Sequence, residues 1–122
     1  MTSTEGAKKT VLVVEDEELV RELFVEVIQG LGHTVLFAKN GEEGLRVFLE
    51  NKDDVTIVLT DLTMPKMNGM VMAKRIKIIK DKVIIIFISG DFSSFVTELS
   101  TADVLFCKPI IKFDLLAKLL KS

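Results

Sequence analysis

The segment VIIIFIS (83–89) has no polar residue before Ser89. A run this short, β-branched and apolar at nearly every position, reads as a strand with both faces buried. TVLVV (10–14) and VTIVLT (55–60) have the same character. Strands covered on both sides belong to a parallel sheet with helices above and below it. HTVLFA (33–38) and DVLFC (103–107) supply two further strands.

Helical patterns fill the intervals. EDEELVRELFVEVIQGLG (15–32) has Leu19, Leu23, Val27 and Ile28 at helical spacing, with Gly30 and Gly32 marking its stop. NGEEGLRVFLENK (40–52) reads as a helix with Leu45, Phe48 and Leu49 facing inward. MVMAKRIKII (70–79) is helical, with a first turn that starts a few residues earlier. DFSSFVTELS (91–100) is a short, weak helix, and IIKFDLLAKLL (110–120) is amphipathic with Lys112, Lys118 and Lys121 outward. This is a β-α unit repeated five times. Right-handed crossovers make it an α/β, doubly wound, five-stranded parallel sheet with helices on both faces. The 122 residues suit one domain over 10–122, preceded by a short mobile tail over 1–9.

The 16 basic and 18 acidic residues leave a net charge of −2, which gives no electrostatic footprint for nucleic acid or an anionic membrane. The single cysteine, Cys107, forbids an internal disulfide and fits a reducing compartment. The N-terminal MTSTEGAKK lacks the apolar core of a secretory signal. No apolar run approaches the roughly 20 residues of a membrane span. A cytoplasmic protein is expected. Cys107 reads as a buried strand cysteine, His33 as structural or exposed, and Met64, Met67, Met70 and Met72 as packing residues.

Open parallel sheets bind ligands at the carboxyl ends of their strands, near the point where strand order reverses. Glu15 and Asp16 follow the first strand, and Asp61 follows the third. The fourth ends in Ser89, and Lys108 and Pro109 follow the fifth. The second offers only Lys39 and Asn40, which places it at the edge. Three carboxylates on one rim repel one another by several kcal/mol at intermediate dielectric. A divalent cation with a preference for hard oxygen ligands, Mg²⁺ above all, relieves that repulsion. Lys108 can hold an anionic oxygen as a point charge, and Ser89 can donate to another. Those are the parts of an in-line phosphoryl transfer to a carboxylate, with Asp61 as the nucleophile.

The stretches VLVVEDE, VLTDLTMPKMNG, IIIFISG and FCKPI occur in that order. Together they resemble the receiver domain of two-component response regulators, over about residues 10–121. The resemblance implies a flavodoxin-like sheet of order 2-1-3-4-5 with Asp61 as phosphoacceptor. It implies Mg²⁺ (or Mn²⁺) held by Asp16, Asp61 and the backbone carbonyl of Thr63, with Glu15 acting through water. Lys108 would contact the phosphoryl group, and its bond to Pro109 would be cis. Ser89 would be the switch hydroxyl. The donor would be a sensor histidine kinase or a histidine phosphotransfer domain. The product would dock an output protein or relay phosphate, without direct contact to nucleic acid or membrane. Any catalysis would be limited to the domain's own phosphoryl transfer and autodephosphorylation.

The chain departs from the family at three places. Leu105 stands where receivers place Tyr or Phe as the switch aromatic. The interval from Ser89 to Lys108 is a few residues short. STAD (100–103) replaces Gly-Ala-Asp before the last strand. Thr63 and Asp91 occupy the positions that flank the path of the hydrolytic water and so tune phosphoryl lifetime. A phosphatase of the haloacid-dehalogenase type would want an acid where Thr63 stands. A flavodoxin-like binder would want a phosphate-cradling loop where EDEE stands. The remaining alternative is a degenerate receiver that works as a phosphate-independent interaction module.

Overall fold

In the computed structural model, residues 8–62, 64, 66–89 and 104–107 are described; Ser89 and 104–107 are described by their backbone. The expected helices over 91–100 and 110–120, together with Thr63, Asp91, Lys108 and Pro109, lie outside the described residues.

The apolar runs form the strands the pattern demands: β1 (Thr10–Val14), β2 (Thr34–Ala38), β3 (Val55–Asp61), β4 (Ile84–Ser89) and β5 (Val104–Cys107). All pair in parallel, in the order β2-β1-β3-β4-β5, so the expected topology holds and β2 is an edge strand. Three helices alternate with them among the described residues: α1 (Glu18–Gly30), α2 (Gly41–Glu50) and α3 (Gly69–Ile79).

Successive strand residues point to opposite faces. Val11, Val13, Ile57, Leu59, Ile86 and Ile88 therefore share one layer, into which α1 inserts Phe24 and Ile28. Leu12, Val14, Val58, Ile85 and Phe87 share the other, packed against Phe48 of α2 and Met70, Met72, Ala73 and Ile76 of α3. Each large apolar side chain removed from water contributes roughly 1.5–3 kcal/mol, which is the main force holding the helices to the sheet.

The helix faces differ in part from expectation. Leu19 and Leu23 of α1 are 79% and 46% exposed, and the inward stripe is Phe24 and Ile28 with Val20 beside them. In α2 Phe48 is buried as expected, but Leu49 is 47% exposed. Gly44 takes the inward place instead, because any Cβ there would press on the Met72 sulfur and the Val14 methyls. The α3 helix begins one residue before Met70, where Asn68 caps it by accepting from the Val71 N–H at 2.9 Å.

His33 is buried and structural. Its Nδ1 accepts from the Lys9 backbone N–H at 3.0 Å, which ties the start of β1 to the start of β2. At the same end of the sheet the Lys80 ammonium donates to the carbonyls of Lys52 and Val55, at 2.7 and 2.8 Å. Among the described residues no helix is long and apolar enough to cross a membrane.

Candidate functional site

Sheet register fixes the rim. Val14, the last residue of β1, is level with Thr60 of β3, so Glu15 stands beside Asp61. Asp61 is level with Ile88 of β4, and Ser89 comes one residue later, paired with Cys107 of β5. The chain thus ends β1, β3, β4 and β5 along one edge. The carboxylates of Glu15, Asp16 and Asp61 meet there: one oxygen from each lies within 4.8 Å of the others. Glu15 and Asp61 are buried, and Asp16 is exposed.

Each carboxylate is positioned by its neighbours. Glu15 Oε2 accepts from the Glu17 backbone N–H at 3.1 Å, and the Glu15 carbonyl accepts from the Arg21 guanidinium at 3.0 Å. These bonds fold the short β1–α1 turn back on itself, so Glu15 stays under the rim while Asp16 points to solvent. On β3 the Thr60 hydroxyl donates to the Asp61 carbonyl at 2.8 Å. The Gly69 N–H donates to the Leu62 carbonyl at 2.7 Å, which draws the start of α3 against the end of β3. A Cβ at Gly69 would overlap the Asp61 carbonyl oxygen, so only glycine permits that approach. The Gly41 N–H donates to the Met67 carbonyl at 3.1 Å and pins the same loop to the start of α2.

Lys66 in this loop has φ 69°, in the left-handed region that costs a residue bearing a Cβ roughly 1 kcal/mol. Lys66→Gly is therefore expected to raise stability by a few tenths to about 1 kcal/mol, measured by urea unfolding. A loss of stability would show that the Lys66 side chain holds the loop.

Like charges this close repel by up to about 3 kcal/mol at an effective dielectric near 20 where both are buried, as Glu15 and Asp61 are, and by less where Asp16 meets solvent. Their oxygens are hard donors, two of them on buried side chains, grouped closely enough to share one small divalent cation. Of the residues singled out in the sequence, the structure brings together Glu15, Asp16 and Asp61 and sets the backbone of Ser89 on the same rim. The backbone of Leu105, on the terminal strand β5, pairs with Phe87, two residues back from the level of Ser89 and Cys107. Thr63, Asp91, Lys108 and Pro109 fall outside the described residues. Sequence reasoning missed Thr60, Gly69 and Arg21, which act on backbone carbonyls. Only for Gly69 was there a signal, its place beside the Asn68 cap.

Comparison with known proteins gives the same picture. Sensor kinase CckA of Brucella abortus is 38% identical over 81 residues, 66% of this chain, which spans 9% of that kinase. Response regulator protein TrrA of Thermotoga maritima, solved in complex with Mg(2+)-BeF, superposes with a TM-score of 0.82 at 32% identity, covering 93% of this chain and 96% of that one. A response regulator receiver domain protein of Clostridium thermocellum superposes with a TM-score of 0.82 at 28% identity, covering 92% and 90%. The family described as Response regulator receiver domain matches residues 11–119. With the sheet order and the acidic rim already in place, that match makes the chain a member of the response regulator receiver domain family of two-component systems.

Proposed function

We propose that Asp61 accepts a phosphoryl group, in a Mg²⁺-dependent reaction, from a phosphohistidine on a sensor histidine kinase or histidine phosphotransfer domain. The observation that carries this reading is the approach of the Glu15, Asp16 and Asp61 carboxylates to within 4.8 Å at the strand ends. Support comes from family membership, from the CckA-type relatives whose kinases include a matching segment, and from the Mg(2+)-BeF complex of TrrA.

An Asp61 carboxylate oxygen attacks phosphorus as the phosphorus–nitrogen bond breaks. The electron pair returns to the imidazole, which takes up a proton, and Asp61 carries an acyl phosphate. Asp16 and Asp61 would hold the cation, with the Thr63 carbonyl as a further ligand and Glu15 acting through water. When bound, Mg²⁺ (or Mn²⁺) offsets the negative charge of the incoming phosphoryl oxygens. Lys108 would neutralise a second phosphoryl oxygen, and the Ser89 hydroxyl would donate to a third. Thr63 and Asp91 set the lifetime of the phosphoryl group by governing access of water. Because Leu105 replaces the switch aromatic, Ser89 shifts without a coupled ring rotation. The phosphorylated domain then docks an output protein or passes the group onward in a cytoplasmic phosphorelay.

The cation is the first test. A ligand that binds only the folded state adds about 1.4 kcal/mol at ten times its dissociation constant. Mg²⁺ is expected to raise the urea midpoint of the wild type, and Asp16→Ala to abolish most of that gain. An unchanged Mg²⁺ response in Asp16→Ala would remove Asp16 from the metal site.

A further inference from the structure

Among the described residues, β2 has no neighbour on its outer edge. TVLFA (34–38) has no charge and no proline, the usual protections of an edge, and no described strand lies on its outer side. Thr34 donates its N–H to the Lys9 carbonyl at 2.9 Å, and Ala38 accepts from the Glu15 N–H at 3.1 Å. Alternation then turns the backbone groups of Val35 and Phe37 to the open side. Phe37 is 57% exposed, with the Arg21 guanidinium 5.9 Å from its ring centre. A groove runs beside it between β2 and α1, walled by Glu18, Glu22 and Glu26.

We propose that this groove and edge take up an extended, basic segment of a partner protein as an added parallel or antiparallel strand. Glu18, Glu22 and Glu26 recur every four residues of a helix, about 6 Å apart. Alternate residues on one face of a strand recur about every 6.7 Å. A segment with lysine or arginine at every second position therefore sets one cation against each glutamate. Its backbone meets the outward groups of Val35 and Phe37, the usual way an exposed sheet edge recruits a peptide. A second copy of this chain fits less well: two β2 edges paired across a two-fold axis bring the two acidic α1 stripes face to face. Arg21 offsets that repulsion only in part, since each copy sets its one guanidinium against the three carboxylates of Glu18, Glu22 and Glu26. The surface is lined by residues of β2 and α1, none of them among the three carboxylates of the acidic rim.

The test is a ¹⁵N NMR titration of the full chain, with Mg²⁺ in excess, using a short peptide that alternates lysine with valine. A peptide alternating glutamate with valine is the control. The expected result is saturable shifts centred on the Val35 and Phe37 amides, slowed solvent exchange there, and no response to the control. Phe37→Lys and Glu22→Lys alter exposed side chains and are expected to weaken binding about tenfold each while leaving the remaining spectrum in place. Shifts confined to the Asp16–Asp61 rim, equal binding of the control peptide, or unchanged affinity in both variants would overturn the proposal. So would concentration-dependent shifts of Val35 and Phe37 without peptide, which mean pairing between copies.

Discussion

Gly69→Ala is expected to destabilise the fold by about 2 kcal/mol or more, despite placing a better helix former in the first turn of α3. Helix propensity alone favours alanine by up to about 1 kcal/mol. Against it stands a steric overlap with the Asp61 carbonyl oxygen, which belongs to backbone and has no rotamer to escape into. Either α3 withdraws and breaks the Gly69–Leu62 hydrogen bond, or the end of β3 shifts out of register with Ile88. Both movements displace the Asp61 carboxylate. Phosphoryl transfer is therefore expected to fall further than the stability loss explains, since a misplacement of about 1 Å costs reactions of this kind about a hundredfold. Urea unfolding and the rate of phosphorylation in the same sample measure the two effects. Wild-type stability in Gly69→Ala would show that the helix start does not hold the site.

Asp61→Asn has the opposite effect on the metal-free fold. Removing one charge from three that share a site relieves two repulsive pairs. Stability without divalent cations is expected to rise by about 1–3 kcal/mol, after allowance for solvent around exposed Asp16. The advantage shrinks as Mg²⁺ is added, because the cation performs the same neutralisation for the wild type and binds the variant less well. The crossing of the two stability curves with Mg²⁺ concentration is the signature. Parallel curves would mean that the carboxylates are not electrostatically coupled.

Much of this was legible in the sequence, for a physical reason. Strands buried on both faces admit almost nothing but apolar residues, so TVLVV and VTIVLT declare themselves, and the first charge after each run marks the rim of the sheet. Hence Glu15, Asp16 and Asp61 were found before their positions were known. The helices were less legible because α1 carries two apolar stripes at helical spacing, Leu19–Leu23 and Val20–Phe24–Ile28. Periodicity cannot choose between them; the geometry of the β1–α1 turn does. In α2 the inward place of Gly44 was hidden because its contribution is the room it leaves for Met72 and Val14. The supports of the site escaped for a similar reason. Arg21, Thr60 and Gly69 act on backbone carbonyls, and which carbonyl a side chain meets is set only when the chain is folded.

The central claim is that Asp61 is the phosphoacceptor and that the acidic cluster makes it one. The most direct measurement is the intact mass of the protein after incubation with acetyl phosphate, with and without Mg²⁺, for the wild type and Asp61→Asn. A gain of one phosphoryl group that requires Mg²⁺ and vanishes in Asp61→Asn is the predicted result. A folded wild type that gains no mass, or an Asp61→Asn protein that gains it equally, would contradict the claim.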